Sequence, residues 1–198
     1  MEKLKYNEIR KTGIEHLKFN ETSMNLKAIK RFASRNSIDV DVFLKSKNMN
    51  LQRPLVWNIR QKQAFIVSFL QEAPIGVFTF VQYTKKPEAG LTGIFQNDVL
   101  KVLDGKQRLT TLLEFTNNGF PIVFKGNEYY FNDMEDKLQN FMLRQYLRIN
   151  ILYDYEVDPE LTEDDYVRVF LYLNYAGETQ SQEYLDDLNN MIGNEIAK

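Results

Sequence analysis

Apolar and polar positions change period several times along the chain, and each change marks an element. In MNLKAIKRFASRN (24–36), Met24, Ile29 and Phe32 recur near helical spacing, with Lys27, Lys30, Arg31 and Arg35 elsewhere: a basic amphipathic helix. IDVDVFL (38–44) alternates apolar and acidic residues, the period of a strand with one wet face. Asn58 can cap a helix whose apolar face carries Ile59, Phe65, Ile66, Phe69 and Leu70, and Pro74 and Gly76 end it. GVFTFVQY (76–83) is rich in β-branched and aromatic residues and predicts a strand. Residues 84–98 read as a surface hairpin, and VLKVLD (99–104) as the next strand. A helix follows over 106–117, with Asn118-Gly119 as its stop.

Two short strands are expected about Lys125-Gly126, then a helix over 135–146 and a strand over 147–155. TEDDYVRVFLYLN (162–174) reads as a helix, YAGETQS (175–181) as a loop and residues 182–196 as a final acidic helix. Strands alternating with helices predict a mixed α/β or α+β single domain. Residues 1–23 read as a leader or partner-binding arm, and 24–198 as the domain.

A length of 198 residues, 43% hydrophobic and 26% charged, suits one such domain with a sizeable core. No run reaches the roughly 20 apolar residues of a membrane span, and the polar N-terminus does not read as a signal peptide. There is no Cys, and the one His is His16, so disulfides, thiol chemistry and a Cys/His zinc site within this chain are excluded. A reduced cytoplasmic setting is expected: the host cytoplasm, or a virion if the chain is phage-encoded.

The net charge of −2 conceals a gradient: +7 over residues 1–60, +1 over 61–149 and −10 over 150–198. Such asymmetry reads either as two solvated faces or as a basic face for nucleic acid. On the second reading Lys27, Lys30 and Arg31 are the candidate nucleic-acid contacts.

Candidate chemistry concentrates at VLDGKQRLTTLLEF (102–115), where a strand becomes a helix. Exposed backbone N–H groups and the positive end of the helix dipole make such a corner an anion site. Gly105 would let a ligand approach the backbone, and Lys106 and Arg108 can neutralise phosphate. Asp104 can hold a metal ion or orient water, and Gln107 can orient water without charge. The same residues also read as an ordinary helix start, with Asp104 an N-cap and Gly105 a turn residue. A second cluster, NLQRPLVWNIRQKQ (50–63), places Asn50, Gln52 and Arg53 before a helix, with Trp57 either stacking on a base or covering the core. A third, FLYLNYAGETQSQEYL (170–185), has Asn174 and Gly177 at a helix end; alone it reads as a helix–loop–helix connection.

In order and spacing, LQRPLVW, APIG, VLDGKQRLTTL and FLYLNYAGETQSQEYL resemble the DGQQR-motif NTPase domain. That is the N-terminal, GmrS-type half of GmrSD modification-dependent restriction enzymes, within the ParB/sulfiredoxin-like superfamily. The resemblance covers roughly residues 24–190. It implies a ParB/sulfiredoxin-like α/β fold, a mixed sheet with flanking helices, that binds and in many members hydrolyses a nucleoside triphosphate. It also implies roles in DNA restriction and phage–host conflict. Asp104, Gly105, Gln107 and Arg108 match the hydrolysis motif, with Asp104 and Gln107 as expected catalytic residues and Asp104 as the ligand of magnesium or a similar divalent cation. Gln52, Arg53 and Trp57 match the upstream motif and Asn174 and Gly177 the downstream one; with Gly105, Lys106 and Arg108 they form the expected nucleotide site.

Three positions depart from the family: Lys106 replaces a Gln, Tyr172 stands where Arg is common, and Ala176 replaces the first Gly of a pair. The expected partners are a nucleoside triphosphate, DNA, and a separate nuclease or other protein chain, with no membrane. Two other readings stay open: a non-catalytic module locked by nucleotide, and a metal-dependent nuclease.

Overall fold

Along strand β5 (Val77–Thr84) the buried residues alternate between two cores: Phe78 and Phe80 belong to one and Val81 to the other. A strand buried on both faces belongs inside a sheet. The computed structural model, which describes residues 17–84, 98–153, 161–175 and 182–191, places it at the centre of five strands. β5 pairs in parallel with β9 (Tyr146–Tyr153) and antiparallel with β6 (Asp98–Asp104). β1 (Asn20–Asn25) borders β9 antiparallel, and β2 (Ile38–Asp39) borders β6 in parallel, giving the order β1-β9-β5-β6-β2.

The mixed sheet with six described helices confirms the α/β class. One core takes Leu26 and Ile29 from α1 (Leu26–Ser34), Ile66 and Phe69 from α2 (Ile59–Leu70), and Leu109, Leu112 and Phe115 from α3 (Lys106–Thr116). Met142 of α4 (Asp136–Arg144) joins it. The other core joins Val81, Leu103 and Leu152 to Val167 and Phe170 of α5 (Glu163–Tyr175) and Leu188 of α6 (Gln182–Met191). Val42, Leu44 and Leu51 add the segment that contains two short strands, β3 (Phe43–Leu44) and β4 (Met49–Asn50). The result is three layers, helices on either side of the sheet.

Local signals placed most elements. Asn58 caps α2 through a reciprocal box with Gln61, the two bonds being 3.1 and 2.9 Å. Lys125 and Gly126 take positive φ between β7 (Ile122–Phe124) and β8 (Asn127–Tyr129), the conformation of a tight hairpin turn. Two segments differ from expectation. Residues 20–23, read as part of a leader, pair with β9 as an edge strand; NETSMN has little apolar periodicity because backbone hydrogen bonds, not side-chain burial, hold it there. Met24 therefore lies in β1 and not in the helix, which starts after Asn25, whose side chain caps Ala28 N at 2.8 Å. Residues 38–44 form two separate two-residue strands in place of one continuous strand. All but the two end residues of the hairpin expected over 84–98, most of the 175–181 loop and the end of the last helix lie outside the described residues.

The start of α5 gives a pH-dependent test. Asp165 Oδ2 accepts from Thr162 N at 2.9 Å and from its hydroxyl at 2.7 Å, and Oδ1 accepts from Arg168 at 3.1 Å. Burial pushes the carboxyl up, but these bonds outweigh it and hold its pKa below the usual range. A depressed carboxylate contributes stability above its unfolded pKa of about 3.9, and loses it as pH falls through the folded value. Thermal melts should show Asp165→Asn less stable than wild type at pH 7, with the gap closing towards pH 3. A gap that is constant with pH would show that the charge is not what stabilises the helix start.

Candidate functional site

Asp104 ends β6, Gly105 turns the chain, and α3 begins at Lys106. Gly105 has φ +96°, and a Cβ there would overlap the ring of Phe78. Glycine therefore serves both the left-handed turn and the close strand–helix packing. It also provides no side-chain cap for α3. The first helical bond runs from Leu109 N to Gly105 O at 2.8 Å, so no helical carbonyl accepts from the N–H groups of Lys106, Gln107 and Arg108.

A cavity of about 450 Å³ opens on this corner. Its wall brings together Gln52, Arg53 and Trp57 from the segment before α2, residues 104–108, and Asn174 from α5. The three sequence clusters, separated by some 50 to 70 positions, thus meet at one place. Asn50 lines an adjoining cavity of about 560 Å³ that shares Gln52, Arg53 and Lys106. Gly177 lies outside the described residues.

Individual side chains show how the corner is built. Buried Gln52 donates to Val102 O at 2.6 Å, while its Oε1 is buried without a hydrogen-bond partner. Gln107 reaches across to the upstream motif: Oε1 accepts from Val56 N at 3.2 Å and Trp57 N at 3.3 Å, and Nε2 donates to Pro54 O at 3.1 Å. Both ends of its amide therefore fasten the Pro54–Trp57 backbone to α3. Trp57 is half-buried and packs edge-on against Phe65 of α2 at 5.2 Å between ring centres. Asn174 is buried and donates to Phe170 O at 2.7 Å.

Arg108 ties the corner to the start of β5. It donates to the carbonyls of Ile75 and Val77, the latter at 3.0 Å, and to Asp104 Oδ2 at 2.9 Å. Its guanidinium also lies 4.7 Å from the Phe78 ring centre. Lys106 is buried, and its ammonium is held by Asp41 and by Arg53 O, the latter at 3.0 Å. A cation expected to face phosphate thus first holds two loops together. Exposed Arg53 and half-exposed Asp104 have more accessible side chains.

Sequence reading missed Asp41, Phe78 and the Ile75 and Val77 carbonyls as parts of this corner. Backbone acceptors carry no residue signature, and Asp41 looked like the wet face of a strand. The proposed nucleic-acid cations also separate: Lys27 and Arg31 are exposed on α1, whereas Lys30 donates to Thr116 O at the end of α3 and lies 5.5 Å from the Phe131 ring centre. Burial lowers the pKa of Lys30, and its ammonium is engaged at the end of α3, whereas Lys27 and Arg31 face outward.

A model of the family described as GmrSD restriction endonuclease, N-terminal domain, matches residues 29–195. No curated protein and no solved structure matches the chain.

Proposed function

The chain belongs to the family of GmrSD restriction endonuclease N-terminal domains, and from that premise we propose that the cavity at the β6–α3 corner binds a nucleoside triphosphate and hydrolyses it. The family ties the chain to restriction and to the conflict between phage and host. One observation carries the nucleotide reading: three separated motifs line one cavity at an uncapped helix N-terminus. There the backbone N–H groups of 106–108 and the Arg53 guanidinium receive the phosphates. Gln52 Oε1, buried and unpartnered, takes a hydroxyl or amino donor of the nucleotide. The exposed part of Trp57 offers a surface for the base.

Magnesium bound to nucleotide usually takes one or two protein carboxylates, the phosphates providing other ligands. Asp104 suits that mode, since its Oδ2 faces Arg108 and no described residue hydrogen-bonds to Oδ1. A divalent cation held there would neutralise charge on the phosphates. Arg108 keeps the Asp104 carboxylate in place, and Gln107 keeps the Pro54–Trp57 wall in place. DNA cleavage falls to a nuclease partner, the other half of the restriction enzyme that the family name describes.

A specific observation favours a second reading, a module locked by nucleotide without turnover. Gln107, the residue expected to orient water, has both ends of its amide bound to backbone. Titration with a nucleoside triphosphate, with and without magnesium, separates the two. Turnover supports hydrolysis, saturable binding without turnover supports the module, and absence of binding overturns both. Arg53→Ala is expected to weaken binding roughly 10- to 150-fold, as for loss of a charge-assisted hydrogen bond, with an unchanged melting temperature. Wild-type affinity in that variant would put the phosphates elsewhere.

A further inference from the structure

A larger cavity, about 870 Å³, lies beside the corner just described, between α4 and the starting ends of β5 and β9. Its chemistry is of another kind. Lys137 and Arg144 come from α4 and Arg148 from β9; all three are exposed, and among the described residues none of their side chains makes an ion pair or hydrogen bond. Glu72 is the one acid on its wall. Between the cations stand two aromatic side chains that folding leaves open, Phe141 at 38% exposure and Tyr146 at 67%. The side-chain nitrogen of Gln145 is buried there without an acceptor.

We propose that this groove binds an unpaired stretch of nucleic acid, with the three cations on phosphates and Tyr146 and Phe141 stacked on bases. The spacing supports a strand. Lys137 and Arg144 are seven residues apart on α4, about 10 Å along its axis, or roughly three steps of a stacked strand at about 3.4 Å each. Tyr146 and Arg148 share one face of β9, so a base platform and a phosphate-binding cation lie side by side. A duplex hides its base faces, whereas an unpaired strand presents them to aromatic side chains. The groove extends the restriction reading and does not depend on the nucleotide cavity. The two sites nevertheless share a wall, because Ile75 and Gly76 line the groove while Arg108 of the corner donates to Ile75 O.

The test is fluorescence anisotropy of a labelled oligonucleotide, single-stranded or duplex, with the full chain at low salt. Combined Lys137→Glu, Arg144→Glu and Arg148→Glu should weaken single-strand binding at least tenfold. It should also reduce the log–log salt slope by about 2, near 0.7 for each phosphate that is no longer neutralised. Tyr146→Ala should cost roughly 5- to 150-fold on the single strand and less than about twofold on the duplex, since stacking matters only where bases are accessible. Lys27→Glu with Arg31→Glu should leave binding near wild type. The proposal is overturned if wild type does not bind, if the α1 variant weakens binding as much as the groove variant, or if polyglutamate displaces the strand equally well at matched charge. Nucleotide titration of the same groove variant should give wild-type affinity. A chain that binds no nucleotide, yet loses the strand only in the groove variant, would sink the nucleotide reading and leave this one standing.

Discussion

Gly105→Ala is expected to be the most destabilising single change at the site. A left-handed backbone costs a non-glycine residue about 1–2 kcal/mol. The added methyl would also overlap the fully buried Phe78 ring, which is backed by the sheet core. Overpacking of this kind typically adds about 1–3 kcal/mol. Together these approach half the stability of a marginal domain, about 5–15 kcal/mol in all. At about 2–4 °C per kcal/mol for a chain of this size, the melting temperature should fall by roughly 5–20 °C. Because Phe78 also lies under the Arg108 guanidinium, the variant should lose nucleotide affinity as well as stability. A melting temperature within about 2 °C of wild type would show that the turn can relax by another route.

Asp104→Asn is expected to have the largest effect on turnover. Asparagine keeps the shape and can still accept from Arg108, so the fold should hold; it loses the charge that a divalent cation needs. Hydrolysis should fall at least about 100-fold, a range usual for loss of one catalytic group. Magnesium should then no longer tighten nucleotide binding. Lys106→Gln makes an informative companion, because it restores the residue type of the family motif at that position. On sequence grounds it should raise turnover, since binding that is equal in ground and transition states does not speed catalysis. In the structure it also releases Asp41 and Arg53 O, so it should loosen the Arg53 segment and weaken binding. Single-turnover assays on the three proteins decide the matter. Undiminished hydrolysis in Asp104→Asn would remove Asp104 from the chemistry, and slower hydrolysis in Lys106→Gln at saturating nucleotide would make Lys106 part of it.

Much of this molecule was legible in its sequence. The strand at 77–84, the helix capped by Asn58, the hairpin about Lys125-Gly126 and the helix after Gly105 all follow from local patterns. Apolar residues at period two or near 3.6, together with a cap or turn residue, act within a few positions of one another. The candidate site was legible as three clusters, because loop-to-helix junctions rich in Gly, Arg and Gln carry their own signature.

The sequence alone could not assign partners to those side chains. Gln107 can orient water or clamp a loop, and its composition is the same in both cases. Only the packing of α3 against the Pro54–Trp57 segment brings three backbone groups to its amide. Lys106 likewise finds Asp41, 65 positions away, because β2 lies beside β6 in the sheet. Residues 20–25 became a strand for a related reason: their pairing energy comes from backbone groups that every residue carries. Local periodicity thus determined the elements and marked the three motifs. Tertiary structure decided which polar groups hold the corner together, because a hydrogen bond depends on where its partner has been brought.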